Sequence, residues 1–259
     1  NVYEEKDRFL INISHELRTP LTLIYAPLSR ILKTLPSTDA IYPPLKNIHK
    51  QAQRMKDLIN MVLDVRKMEV GETKLKLQAY PFNSWIKEIW ADFTDEGAAQ
   101  EVHIDNQLDD SIKEVVFDKG MCTIVVSNLL TNALKHSPKN TTVTIRTSKN
   151  DSYVRVSVLD QGEGMQEEDM EKVFIRFYQG KQEIGGSGVG LSYAKMLVEL
   201  HKGKIGAMNN EAGGATFFFD LPLGLESGEV ICQPNPYIND LITPDVDHEI
   251  NAPETLDFS

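Results

Sequence analysis

The apolar pattern of the first seventy residues constrains this chain more than any other feature. Between Val2 and Leu35, the residues Phe9, Ile13, Leu17, Leu21, Ile24, Leu28, Ile31, Leu32 and Leu35 recur at helical spacing. Pro36-Ser37-Thr38-Asp39 interrupts the pattern, and Pro43-Pro44 favours the start of a second helix. That helix carries Leu45, Ile48, Ala52, Met55, Ile59, Val62, Leu63, Val65 and Met68 to about Glu69, and Gly71 supplies a stop. Two helices with one buried stripe each cannot close a core alone. An antiparallel hairpin of this kind is expected to dimerise into a four-helix bundle, making a homodimer.

The first helix also carries chemistry. Within Phe9-Leu10-Ile11-Asn12-Ile13-Ser14-His15-Glu16-Leu17-Arg18-Thr19-Pro20-Leu21, an imidazole is followed at once by a carboxylate and, four residues on, by a hydroxyl on the same helix face. Imidazole changes protonation near neutral pH and serves as a nucleophile without extreme activation. Glu16 can accept the other ring proton as a general base and raise the nucleophilicity of the free nitrogen. Pro20 lacks an N–H, so the Glu16 carbonyl loses its helical partner and a bend after the site is expected. On spacing alone, a single helical histidine is more often solvated or packed than reactive.

The pattern changes after residue 70. Leu75 and Leu77 alternate with Lys74 and Lys76 before Pro81, and residues 71–82 are read as a hinge between domains. Beyond it, strands are predicted at His103–Leu108, Lys113–Phe117, Thr142–Thr147, Tyr153–Leu159, Lys204–Met208 and Thr216–Leu221. Helices are predicted at Asn83–Gln100, Lys119–His136 and Gly190–His201. Such interspersion implies an α+β fold: after the hairpin of residues 1–70, an α/β sandwich over 83–223 with helices on one face of a mixed sheet. Residues 225–259 hold eight acidic residues, four prolines and no Lys or Arg. A segment of that composition buries little, so 224–259 is read as a linker or tail, docked at most in part.

Charge and cysteine content remove several function classes. A net charge of −11 argues against nucleic-acid binding, which needs basic patches against phosphate. Cys122 and Cys232 show no metal or redox spacing, and a reducing compartment fits. No run approaches the length that spans a bilayer, so no membrane contact is expected of this fragment. The chain begins with Asn and enters helical periodicity at once, which reads as a piece cut from a longer protein.

A second constellation lies in the C-terminal half. On Lys119–His136, the residues Asn128, Asn132, Lys135 and His136 form one polar stripe, opposite Val126, Leu130, Ala133 and Leu134. A polar stripe is commonly just a solvated face. Amide oxygens with an ammonium also suit a Mg²⁺–triphosphate, since a hard cation takes oxygen ligands and Lys offers phosphate a point charge. Val154, Val156 and Val158 alternate along a strand ending in Asp160-Gln161-Gly162-Glu163-Gly164-Met165. A carboxylate there is often a turn former. As a ligand it would accept from the exocyclic amine of adenine and repel the carbonyl of guanine. Val173-Phe174-Ile175-Arg176-Phe177-Tyr178 follows, and then Gly185-Gly186-Ser187-Gly188-Val189-Gly190-Leu191 opens a helix. Glycines there let backbone N–H groups approach phosphate oxygens, aided by the helix dipole. The pattern lacks the Lys-Ser/Thr of a P-loop and the βαβ context of a dinucleotide fingerprint.

In order and spacing, these pieces resemble a known family. Ser-His-Glu-Leu-Arg-Thr-Pro-Leu is similar to the H-box of sensor histidine kinases. The stretches from Asn128, Asp160, Val173 and Gly185 resemble the N, G1, F and G2 boxes of the GHKL ATPase superfamily, and Gly213-Gly214-Ala215-Thr216-Phe217 resembles its closing strand. The resemblance covers residues 3–223. It implies a protein histidine kinase in which His15 takes the γ-phosphoryl of ATP and passes it to an Asp of a response-regulator receiver domain. Glu16 and Thr19 would serve later dephosphorylation, so phosphatase activity is also implied. Asn132 would hold Mg²⁺, with Asn128, Lys135 and His136 nearby. Asp160 would read adenine, and Gly162 and Gly164 would shape its pocket. Gly186, Ser187, Gly188 and Gly190 would meet the phosphates, with residues 161–187 as a mobile lid. The family layout further implies the cytoplasmic portion of a membrane-anchored or hybrid sensor.

Two positions depart from the family pattern. Many relatives have Arg after Phe-Tyr, where this chain has Gln179, leaving Arg176 or Lys181 as the γ-phosphate cation. The frequent Ser/Thr of the closing strand falls on Ala215, with Thr216 next. The rival readings are an ATP-driven clamp of the same superfamily, which would not call for the H-box, and a dimeric nucleotide-binding scaffold that transfers nothing.

Overall fold

The computed structural model describes residues 2–36, 38–69, 73–175, 178, 188–211 and 213–231; over residues 2–16, and at scattered positions of the second helix, it describes backbone alone. Helices α1 (Val2–Thr34) and α2 (Tyr42–Glu69) form the N-terminal hairpin. The helical course of α1 continues through Pro20 and Pro27. The two helices are antiparallel, joined by Arg18 Nη2 donating to Asn60 Oδ1 at 3.0 Å and by a Ser29 Oγ–His49 Nε2 hydrogen bond of 2.7 Å. Tyr25 stacks on His49 at 4.5 Å, and Lys56 lies over the Tyr25 ring. Leu21, Ala52 and Leu63 are buried here, whereas Leu17, Ile24, Ile31, Ile48 and Met55 stay exposed. The hairpin leaves much of its apolar surface in water.

The C-terminal half is the expected sandwich. Its elements are β1 (Lys74–Pro81), α3 (Phe82–Ala99), β2 (His103–Gln107), β3 (Glu114–Phe117), α4 (Lys119–His136), β4 (Thr142–Lys149), β5 (Tyr153–Leu159) and α5 (Asp169–Lys172). They continue as α6 (Gly190–Leu200), β6 (Lys204–Asn209), β7 (Ala215–Pro222) and β8 (Gly228–Ile231). The main sheet runs β2-β4-β5-β7-β6, with β2 parallel to β4 and the other pairs antiparallel, so it is mixed. Alternation sets its two faces. Val154, Val156 and Val158 of β5 and Ala215, Phe217, Phe219 and Leu221 of β7 enter the core, where they join Val125, Val126, Leu129, Leu130 and Ala133 of α4 and Ala194 and Leu197 of α6. The opposite face carries Thr144, Arg146, Arg155, Ser157 and Phe218 around a shallow concavity of about 620 Å³.

Most of the stretch read as a hinge is strand. β1 pairs antiparallel with β3 along one edge and with β8 along the other. Phe82 follows immediately as a fully buried residue of α3. The Lys-Leu-Lys-Leu alternation that suggested a connection is the period-two pattern of a half-buried strand. Leu75 and Leu77 face inward against Val116, Met121, Leu200 and Leu225. Pro81 is tolerated because it closes the strand, its ring occupying a position where the ladder ends. The pairing of β8 likewise shows that the segment beginning at 224 is folded in part. Its remainder, with Cys232, lies outside the described residues.

Candidate functional site

Asp160 stands where β5 ends, 3% exposed. Its Oδ1 accepts from the backbone N–H of Gly162 at 2.9 Å and of Ala215 at 3.0 Å. Its own N–H donates to the Ala215 carbonyl at 2.9 Å, locking the strand end to β7. Among the described residues no donor bonds Oδ2. A buried carboxylate with one oxygen saturated and one open is ready for a donor from a ligand.

Glycines build the space around it. A Cβ on Gly162 would lie 2.5 Å from the His136 carbonyl, so only glycine lets this loop pass the end of α4. Gly164 has φ of +77°. The loop is then pinned to β6 by a reciprocal pair: Met165 N–H donates to Asn209 Oδ1 at 2.8 Å, and Asn209 Nδ2 donates to the Met165 carbonyl at 2.7 Å. Gly214, at φ +87°, passes so near Asp160 that a Cβ would meet its carbonyl oxygen at 2.2 Å.

The polar stripe of α4 faces the same region. Asn128, Asn132 and Lys135 are half-buried and His136 is exposed. A Cβ on Gly190 would lie 2.7 Å from Asn128 Oδ1, so the first turn of α6 abuts this stripe. Gly188 has φ of +65° just before α6 begins. Partial desolvation and the Lys135 ammonium lower the His136 pKa, against a weaker opposing pull from Asp160. A neutral imidazole carries no charge and can donate or accept a hydrogen bond.

Arg176, Gly186 and Ser187, with Gln179 and Lys181, lie outside the described residues. Of the lid, residues 161–175 and 178 are described; Phe174 is buried edge-on against Phe217, with ring centroids 6.3 Å apart. Thr216 does not take over from Ala215. It faces the other side of the sheet and its hydroxyl donates to Asn210 Oδ1. On the hairpin, His15 and Glu16 lie in the helical course of α1, and Thr19 is exposed one turn on.

Three contributors escaped the sequence reading. Asn209 clasps the glycine loop; Asn210 Nδ2 donates to the Asp160 carbonyl at 2.9 Å; and Gly214 gives the close approach to Asp160. The available signal was Asn209-Asn210 ahead of the paired glycines, which reads locally as ordinary turn chemistry. Among the described residues no group of three or more His, Cys, Asp and Glu side chains could hold a metal ion.

A mixed sheet covered on one face by helices, with a half-satisfied strand-end aspartate beside a glycine-opened helix, defines a nucleotide-binding α/β sandwich. Residues 118–225 match the family described as histidine kinase-, DNA gyrase B- and HSP90-like ATPase. Residues 5–71 match the His Kinase A (phospho-acceptor) domain. The chain belongs to these two families, joined in the order of a histidine kinase catalytic core. Histidine kinase P4 of Formosa agariphila is 32% identical over 240 residues, 89% of this chain and 18% of that protein. Sensor histidine kinase WalK of Bacillus subtilis is 32% identical over 232 residues, 85% of this chain and 37% of that protein. This chain thus spans well under half the length of these relatives. Among solved structures, full-length ShkA in complex with AMPPNP gives a TM-score of 0.69 at 22% identity, over 85% of this chain and 47% of that one, a likeness of fold. ThkA in complex with the response regulator TrrA gives 0.60 at 25% identity, over 83% of this chain and 61% of that one.

Proposed function

We propose that this chain catalyses ATP-dependent phosphorylation of His15 and then donates the phosphoryl group to an aspartate of a receiver domain. A neutral ring nitrogen of His15 attacks the γ-phosphorus, the bond from that phosphorus to the bridging oxygen breaks, and ADP leaves. Glu16 takes the proton from the other ring nitrogen, offsetting the positive charge the imidazole gains. Asp160 Oδ2 accepts from the adenine amine, while Gly188, Gly190, Asn128, Lys135 and His136 border the phosphate end, with Gly186, Ser187 and Arg176 assigned there from the sequence. The Asn132 amide oxygen and the triphosphate suit Mg²⁺, which when bound neutralises phosphate charge. Holding the two reactants in line is the main catalytic contribution.

The observation that carries this reading is the coexistence, in one chain, of a His-Glu-x-x-Thr helix from a phospho-acceptor family and a buried carboxylate with one oxygen open for a ligand. The ThkA–TrrA complex supports a receiver domain as partner, and the exposed apolar stripe of the hairpin supports a homodimer. Thr19, exposed one turn from His15, supports a phosphatase role toward that partner. Residues 1–70 as phospho-acceptor hairpin, and the sandwich from β1 onward as nucleotide domain, form the proposed division of labour. The whole is the catalytic part of a sensor facing the cytoplasm. Among the described residues no helix is long and apolar enough to cross a membrane.

The test is incubation with γ-labelled ATP and Mg²⁺, acid and base treatment of the product, and mapping of the modified residue. An acid-labile, base-stable label at His15 is expected, absent from His15→Ala while nucleotide binding persists. Label retained in His15→Ala would refute the assignment.

A further inference from the structure

The first turn of α6 borders the phosphate end of the cradle, with Gly190 against Asn128 of α4. Tyr193 is three residues along, on the face that Gly190 occupies. Its ring packs on the sandwich core, yet its hydroxyl leaves the domain: it donates to Asp64 Oδ2 on helix α2 of the hairpin, 129 residues away in sequence. Burial and the Asp64 carboxylate both push the Tyr193 pKa upward, so the hydroxyl stays a donor throughout the physiological range.

The hairpin's own register says where this bond lands. Arg18 meets Asn60 and Ser29 meets His49, pairs whose numbers both add to 78. On the same antiparallel register, position 64 falls level with position 14, next to His15. Neighbouring helices lie roughly 8–10 Å apart, and Tyr193 is separated from Gly190 by a rise of about 4.5 Å. The bond therefore anchors the phosphate end of the nucleotide domain at the height of the phospho-acceptor on the helix beside it.

We propose that Tyr193 and Asp64 form a positioning pair for the transfer: their hydrogen bond docks the nucleotide domain on the hairpin in the arrangement from which His15 is phosphorylated. This rests on His15 being the acceptor. The pair is assigned positioning alone, with no bond made or broken by either residue. They raise the fraction of the chain in which the two meet, so they act on turnover and leave nucleotide binding alone.

The experiment measures initial labelling of His15 over a range of ATP concentrations in the 259-residue chain, beside nucleotide affinity and melting temperature. Tyr193→Phe keeps the ring in the core and removes only the hydroxyl. It is expected to lower maximal labelling about tenfold, the scale of one hydrogen bond to a charged acceptor, with KM for ATP and nucleotide affinity unchanged. Asp64→Ala should match it. Asp64→Asn, which keeps an acceptor oxygen, should recover most of the rate. The Tyr193→Phe/Asp64→Ala double variant should be no slower than either single variant, because both remove one bond. Undiminished or faster labelling by Tyr193→Phe, a change confined to KM, or multiplying losses in the double variant would each overturn the proposal. If the unmodified chain does not label at His15, the kinase reading falls and this one with it. If it labels and Tyr193→Phe labels equally well, this one falls alone.

Discussion

Asp160 illustrates how one side chain divides its work. Oδ1 serves the fold, accepting from Gly162 and Ala215, and Oδ2 is left for chemistry. Asp160→Asn separates the two, because the amide oxygen can still accept those N–H groups while the amide nitrogen turns two donors toward an adenine amine. Nucleotide affinity should fall by roughly ten- to a hundredfold, the cost of about 1.5–3 kcal/mol for a lost charged hydrogen bond, with little change in melting temperature. Titration calorimetry with ATP checks this, and unchanged affinity would remove Asp160 from the site. His201 shows the opposite case, a titratable group wholly absorbed by the fold. Its Nδ1 donates to the Leu197 carbonyl at 2.7 Å and its Nε2 accepts from the Asp118 N–H at 3.1 Å, a neutral tautomer with both nitrogens occupied. Burial lowers its pKa below the ordinary 6.5, outweighing the Leu197 carbonyl and Asp118. Because the unfolded chain takes up that proton at a higher pH than the folded one, this contribution is complete above pH 6.5 and is lost as pH falls through the depressed value. Melting temperature should drop on acidification below pH 6.5, and His201→Asn should start lower but fall less steeply. Equal slopes would assign the acid sensitivity elsewhere.

Among elements, those governed by local periodicity were legible and those governed by distant pairing were not. The limits of β5 and α4 follow directly from Val154-Val156-Val158 and from Asp118, which accepts from Met121 N–H as the N-cap of α4. The cradle residues Asp160, Gly162, Gly164 and Gly190 were likewise visible, because glycine and carboxylate chemistry is written in short strings. The Lys-Leu-Lys-Leu alternation of β1 was a local strand signal, but its partner was hidden: the pairing with β8 links residues about 150 apart, and no local pattern announces that. The amides of Asn209 and Asn210 were hidden for the same reason, since a clasp across a sheet edge looks like a turn. β8 now supports a specific expectation. It completes the sheet β3-β1-β8, and Leu225 covers Leu75 and Leu77. Ending the chain after Leu223 would unpair one edge of β1 and uncover those two leucines, at roughly 1.5–3 kcal/mol for each fully uncovered side chain. The shortened protein should melt several degrees lower, with loss of protection against amide exchange at 74–77. An unaltered melting curve would make β8 a decoration.

At the scale of the whole molecule, the hairpin's water-facing residues decide how many chains make the working unit. Leu17, Ile24 and Ile31 are 44%, 50% and 44% exposed and recur every seventh residue, and Ile48 and Met55, each 50% exposed, repeat the interval on α2. A sustained seven-residue apolar repeat specifies a supercoiled partner helix rather than solvent. Among the described residues of one chain nothing buries that stripe, whereas Leu21, Ala52 and Leu63 are already buried. A second hairpin would bring an identical stripe and close a four-helix bundle by two-fold symmetry. Ile24→Glu combined with Met55→Glu places two carboxylates in that seam and nothing in the sandwich. Sedimentation should then report the mass of one chain, 29.2 kDa, where the unmodified protein reports twice that. Nucleotide affinity should stay unchanged, because Asp160 and its glycines lie wholly in the other domain. Whether His15 receives its phosphoryl group from its own cradle or from its partner's is read separately: labelling retained in the monomer means its own, and label that appears only when His15→Ala and Asp160→Asn chains with an intact seam are mixed means the partner's. A double variant that still sediments as a dimer would show that these five side chains are not the seam.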